Sequence, residues 1–237
     1  NVSDRLEKTF TSVNFNMMIM IIYALITIAI FGMWYYARYE GNFLPSPKKT
    51  FNPMMIVAIV ILVPGTQFAA NFIANLTGYI RPDWLQQYNE LFETSGITDT
   101  TFVTVLYSVI LAPICEELIF RGVTMRCARK ALPFALANLM QAALFGLFHL
   151  NWIQGIYAFA LGIVLGYVCE RGGSIYYSMG LHLLFNLWGT LSGFFPDPGN
   201  SVVVFVVVIV VTIVSLVAGF VLFNKGRRKL PINSTGI

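Results

Sequence analysis

The sequence predicts an all-α fold: a polytopic transmembrane bundle of about seven helices. Three observations lead there. Apolar residues make up 57% of the chain and charged residues only 11%, against roughly 25% charged in soluble domains. Mean hydropathy is +0.72. The apolar residues also fall in long continuous runs rather than the alternating pattern of a barrel strand. Lipid offers backbone groups no water partner, so such runs must bond internally, and a helix does this within one segment.

The runs place spans at 15–37, 53–76, 99–121, 133–150, 152–170, 174–194 and 201–223. The third is expected to continue as helix through Arg126-Cys127-Ala128-Arg129-Lys130, and Pro133 suits the first turn of the fourth. Residues 82–97 read as a polar, partly amphipathic connector. Pro45-Ser46-Pro47 and Pro196-Asp197-Pro198-Gly199 read as turns, and Pro64-Gly65 as the one clear break inside a span. The last span, Val202 to Val221, is valine-rich and expected to face lipid. With no internal repeat, the simplest organisation is one membrane domain over 1–237. An eighth span is expected if a helix precedes Asn1, and no cleavable signal peptide is visible.

A pI near 9.0 raises nucleic acid as a partner. The basic residues argue against it, because they lie in short loops and at the end of the chain rather than on one folded face. With the first residues outside, the inner segments collect Arg38, Lys48, Lys49, Arg126, Arg129, Lys130, Arg171, Lys225, Arg227, Arg228 and Lys229, and the outer ones Arg5, Lys8 and Arg81. That bias predicts a cytoplasmic C-terminus. The expected location is an integral position in a prokaryotic cell membrane. Cys115, Cys127 and Cys169 lack metal-type spacing and read as packing residues. Asn75-Leu76-Thr77 and Asn233-Ser234-Thr235 match the glycosylation sequon, a short pattern that arises readily by chance.

Against this apolar background stand a few intramembrane polar groups. Glu116 and Glu117 are adjacent, with Arg121 four residues after the second. The only two histidines, His149 and His182, also fall in spans, and Asn186 follows His182 by four. Ionisable groups at membrane depth are costly, so they mark a site by default. Glu117 and Arg121 share a helix face with the acid first, which suits an ion pair. Glu116 points about 100° away and can face a cavity. His182 and Asn186 share one face of the sixth span. With Leu132 at the tip of a helical hairpin, Glu116 and His149 lie at nearly equal depth, roughly 24–26 Å from it.

This division points to chemistry. Glu116 is the candidate general base, with His149 helping to hold a water. His182 and Asn186 can offer donors to an oxyanion. The alternatives are a polar network that only locks helices together, and a proton relay or transporter. A transporter would more often show paired repeats and broken helices. Neither a GxSG serine motif nor a GxGD aspartyl motif is present, and Ser174 reads as a helix cap.

Glu116-Glu-Leu-Ile-Phe-Arg121 resembles the EExxxR motif of the CPBP family of intramembrane proteases, the CAAX-processing and bacteriocin-processing (Abi) enzymes. Phe145-Gly-Leu-Phe-His149 resembles its FxxxH motif and His182-Leu-Leu-Phe-Asn186 its HxxxN motif. The three stand in the family's order, and the resemblance covers roughly 100–190. It implies a membrane endopeptidase in which Glu116 and His149 activate water, His182 and Asn186 stabilise the oxyanion, and Glu117 and Arg121 support the site. Family members trim prenylated CAAX proteins, process peptides, confer bacteriocin immunity or act as scaffolds. The implied partners are a peptide or protein substrate in the bilayer, or a partner membrane protein. Descriptions of the family differ on metal. Glu116, His149 and His182 could supply three zinc ligands, but the chain has no HExxH, and the metal-free reading is favoured.

Overall fold

The computed structural model describes residues 13–37, 51–95, 101–192 and 201–227. They form α1 (Val13–Tyr35), α2 (Pro53–Ile80), α3 (Pro82–Ser95), α4 (Phe102–Ala128), α5 (Phe134–Phe148), α6 (Trp152–Gly172), α7 (Ile175–Ser192) and α8 (Val202–Gly226). Among the described residues there is no strand. The fold is an all-α helical bundle. By length and composition α1, α2, α4, α6 and α8 can each cross a membrane. All seven expected spans are helices, and α3 is the expected connector. The turns at 45–47 and 196–199, the second sequon, and Arg5, Lys8, Arg38, Lys48, Lys49, Arg228 and Lys229 lie outside the described residues.

Two expectations about the helices need correction. Pro64-Gly65 does not break its span: α2 runs unbroken through Pro64 for 28 residues. The ladder is mended from α8. Ser215 Oγ accepts from the Gly65 amide at 3.0 Å and donates to the Ile61 carbonyl, so a neighbour's hydroxyl stands between the two groups that would otherwise pair. The fourth span is also shorter than expected. Its 15 residues rise only about 22 Å, less than the roughly 30 Å of a hydrocarbon core. Pro133 is its N-cap, and the helix ends at Phe148, which leaves His149 at its C-cap.

Close approaches between backbones hold the frame. A Cβ on Gly219 would lie 2.6 Å from Leu62, and one on Gly65 would lie 2.9 Å from Leu216. Glycine at these points lets α8 lie directly on α2. Asn52 ties three elements together. Its amide N–H donates to the Tyr177 hydroxyl at 2.9 Å, and its Nδ2 donates to the Gly226 carbonyl at 2.6 Å. The outer face of α8 is exposed valine, with Val202 at 78%, as its composition anticipated. One cysteine departs from expectation: Cys115 and Cys169 are buried, but Cys127 is exposed. It sits beside the hairpin turn between α4 and α5.

α4 is irregular in a way the sequence did not announce. Its stretches Leu106–Leu111 and Leu118–Met125 are π-helical and flank the regular turn Ala112–Glu117. Pro113 removes one ladder donor next to the first stretch. In the second, Thr124 Oγ1 donates to the Ile119 carbonyl at 2.9 Å. Such wide turns are frequent at functional sites.

Candidate active site

The centre of the bundle is polar where α4, α5, α6 and α7 meet. Glu117 and Arg121 both have 0% exposure, and Arg121 Nη1 donates to Glu117 Oε1 at 2.8 Å. Burying either charge alone would be strongly unfavourable, so each requires the other. Arg121 Nη2 also donates to the Gly162 carbonyl of α6 at 3.3 Å, and the guanidinium lies 4.6 Å over the Phe145 ring. The cation thus has an anion, a carbonyl and an aromatic face around it.

His182 stands between the two glutamates. Its Nδ1 is 2.9 Å from Glu117 Oε1, and its Nε2 is 3.5 Å from Glu116 Oε2. The side chains divide sharply. Glu117 is sealed, whereas Glu116 keeps 15% exposure at the edge of the cluster. Tyr107 and Tyr157 lie within electrostatic reach of Glu116.

His149 is fixed differently. Its Nδ1 is 2.8 Å from the Phe145 carbonyl one turn back. That carbonyl can only accept, so Nδ1 carries the proton in the neutral ring and Nε2 is left as an acceptor. Phe145, buried to 1%, is the hub. Its ring meets His149 edge-on at 4.9 Å and His182 at 5.7 Å, as well as Arg121. The α4–α5 hairpin sets the level, since Phe120 packs on Phe145 at 5.1 Å. Glu116 is one turn before Phe120 and His149 one turn after Phe145 in antiparallel helices, so the two come to the same depth.

Asn186 shares the His182 face but is partly spent. Its Nδ2 donates to the Ser108 carbonyl in the first π-helical stretch at 2.8 Å. The six residues singled out in the sequence are therefore distributed around one centre. Glu117, Arg121 and His182 are directly bonded, Glu116 faces His182, His149 joins through Phe145, and Asn186 lies one turn along α7.

Sequence reasoning missed a second polar group. Gln141 has 0% exposure. Its Nε2 donates to the Gly162 carbonyl at 2.8 Å and to Asn138 Oδ1 at 2.7 Å. Asn138 Nδ2 in turn donates to the Ile163 carbonyl at 3.0 Å. The signal was present, since two amides three residues apart in an apolar helix are as anomalous as the glutamates. Also missed was the cover from α3. Trp84 stacks on Trp152 at 5.3 Å, and the Tyr88 and Tyr157 hydroxyls are hydrogen-bonded.

Among the described residues no three His, Cys, Asp or Glu side chains are grouped as a metal site requires. Glu116, His149 and His182 are not gathered into such a group: His182 meets Glu117 at Nδ1 and faces Glu116 from Nε2 at 3.5 Å, while His149, with Nδ1 on the Phe145 carbonyl, keeps Nε2 open.

Residues 98–188 match the family described as type II CAAX prenyl endopeptidase, Rce1-like. That segment contains every residue of the site and agrees with the CPBP resemblance carried by the three motifs. No curated protein and no solved structure matches the chain.

Proposed function

Since residues 98–188 are of the type II CAAX prenyl endopeptidase, Rce1-like family, we propose that this protein is an intramembrane endopeptidase. It hydrolyses a peptide bond of a membrane-associated or lipidated peptide, using water activated by Glu116 and His149. The observation that carries the reading is the division of the glutamate pair. Glu117 is consumed by Arg121 and His182, while Glu116 remains at the margin with no cation bonded to it on its own helix face.

In this reading Glu116 takes a proton from water, and the hydroxide adds to the scissile carbonyl carbon. His149 Nε2 accepts the water's second hydrogen bond and orients it. The oxyanion receives hydrogen bonds from His182 Nε2–H and from Asn186 once its amide leaves Ser108. His182 already directs Nδ1 at Glu117, so donation from Nε2 calls for the imidazolium. Two carboxylates and one guanidinium leave one negative charge for that imidazolium to balance. Collapse of the tetrahedral intermediate breaks the C–N bond, and protonated Glu116 returns its proton to the leaving amine. The products are a carboxylic acid and an amine, the acid's proton then passing to the amine, with no redox change. The reaction is metal-free here. One equivalent of zinc that is lost together with activity under chelation would reverse that choice.

The location proposed is a prokaryotic cell membrane with the C-terminus inside, and the whole chain is proposed to form one domain. The test is release of a C-terminal fragment from a farnesylated CAAX-type peptide in reconstituted vesicles, with a membrane peptidome comparison for other substrates. Glu116→Ala is expected to lower turnover by about 10²–10⁴-fold, the range for losing a general base, without changing the unfolding midpoint. If neither assay yields any product that depends on Glu116, the protease assignment fails.

A second reading has its own support: the Glu117–Arg121–His182 cluster and the Asn186–Ser108 bond also lock helices together. On that basis the chain would be a non-catalytic scaffold or bacteriocin-immunity protein holding a partner membrane enzyme. Full cellular function in the Glu116→Ala variant would favour it.

A further inference from the structure

We propose that Gln141 is a positioning residue of this site, acting on Arg121 through the Gly162 carbonyl and from there on Glu117 and His182. Its consequence for rate rests on the hydrolase reading above, but its geometry does not.

The Gly162 carbonyl is the shared point. It accepts from Gln141 Nε2 at 2.8 Å and from Arg121 Nη2 at 3.3 Å. Gln141 holds the shorter of the two bonds. Without that amide, the guanidinium becomes the carbonyl's side-chain donor and is drawn toward α6, away from Glu117 Oε1. Glu117 Oε1 is the same atom that His182 Nδ1 meets at 2.9 Å. One amide on α5 is therefore three hydrogen bonds from the carboxylate that orients the imidazole.

The helices are built to admit that amide. A Cβ on Gly166 would lie 1.9 Å from Asn138 Oδ1 and 2.7 Å from Gln141 Nε2, and one on Gly162 would lie 3.1 Å from Ala142. Glycine at 162 and 166 leaves room on α6 for the two α5 amides. Asn138 braces Gln141 with its Oδ1 and anchors itself on the Ile163 carbonyl. A simple interhelical clamp would be complete with the Asn138 bond alone. Gln141 adds a donor aimed at the carbonyl that Arg121 uses.

The chain has only two histidines, so ¹⁵N-histidine labelling in nanodiscs gives two ring signatures, one for each site histidine. Gln141→Met keeps the side-chain length and removes the donor. It is expected to move the ring-nitrogen shifts of His182 while those of His149 stay in place. Gly166→Ala, which pushes a methyl into the same amides, is expected to do likewise. Gln67→Leu alters a buried amide on α2 that makes none of the cluster's hydrogen bonds, and is expected to move neither. On the farnesylated peptide, Gln141→Met lowers kcat about tenfold with KM unchanged, equivalent to one net hydrogen bond.

An unmoved His182 in Gln141→Met overturns the proposal. So does an equal disturbance of both histidines by all three variants, which would signal loosened packing. Should Gln141→Met not fold, Gln141→Glu has the same shape and offers Arg121 a competing carboxylate, and it must move His182 more than His149. Wild type without turnover would defeat the hydrolase and leave the His182 signature standing. A static His182 alongside a dead Glu116→Ala variant would defeat only the role of Gln141.

Discussion

Two helix interfaces in this molecule solve the same problem by opposite means. α2 and α8 meet through small residues: Gly65, Gly219 and Gly226 allow near contact of backbones, and Ser215 mends the proline-interrupted ladder. α4 meets α6 and α7 through charge: Arg121 and His182 each bond Glu117 at 0–3% exposure, and Arg121 reaches the Gly162 carbonyl. In lipid the apolar surfaces of helices gain little by touching, so either close packing or polar pairing must hold them. Packing carries no chemistry, and here it rests on the lack of a Cβ at Gly65, Gly219 and Gly226. Polar pairing is unforgiving, because every member needs its partners, but it leaves ionisable groups fixed in a low-dielectric interior. The contrast locates the site: it lies at the interface held together by groups that can also react.

The largest effect expected from breaking this contrast comes from removing one buried partner. Arg121→Met strips Glu117 of its cation inside the protein and should destabilise by about 3–5 kcal/mol, read as a shifted unfolding curve in SDS–detergent mixtures. Adding Glu117→Gln to the same chain should recover most of that loss, since the orphan charge is then gone. If single and double variants unfold alike, Arg121 stabilises by filling space over Phe145 and the charge description of this interface is wrong.

At the packing interface the expected loss is smaller. Gly219→Leu places a Cβ 2.6 Å from Leu62 Cγ, and overpacking of this kind costs typically about 1–3 kcal/mol. α8 should be displaced from α2 while peptide turnover per folded molecule stays near wild type, because Gly219 belongs to no polar contact of the site. Loss of turnover beyond the loss of folded protein would mean that the two interfaces are coupled.

What the sequence disclosed follows the same division. The helices were legible because apolar runs of bilayer length have few alternatives, and the Glu117–Arg121 pair because i,i+4 spacing is local. The placement of His182 against both glutamates was not legible. It depends on how α7 rotates against α4, and the π-helical stretches beside Ala112–Glu117 rephase that face without any local mark except Pro113. His149 was placed inside a span because the apolar run continues past it. The backbone turns there instead, with Leu150 at φ 53° and Asn151 capping α6 by accepting from the Gln154 amide at 3.1 Å. Gln141 and Asn138 were overlooked because amides carry no charge, although the penalty for leaving them unpaired at that depth is of the same kind.

The smallest effect belongs to a pair with the same chemistry and the opposite burial. Arg81 and Asp83 make a two-pronged contact, at 2.9 and 2.6 Å, with both side chains about half exposed. The Arg81 hydrogen bond holds the Asp83 carboxyl below its ordinary 3.8. For an acid whose folded value is depressed, the stabilisation is present above the unfolded value and is lost as pH falls through the folded one. Wild type and Asp83→Asn should therefore differ most above about pH 3.8, and should converge as pH falls through the lower, folded value. Water and salt screen such a pair, so at neutral pH and moderate ionic strength the unfolding curves should nearly superimpose. A loss approaching that of Arg121→Met would show that the Arg81–Asp83 contact fixes α3, with Trp84 and Tyr88, over the α5–α6 turn. Burial would then not be what separates the two arginine–carboxylate pairs. Superimposed curves would leave burial as the difference between an ion pair that holds the bundle and one that only decorates it.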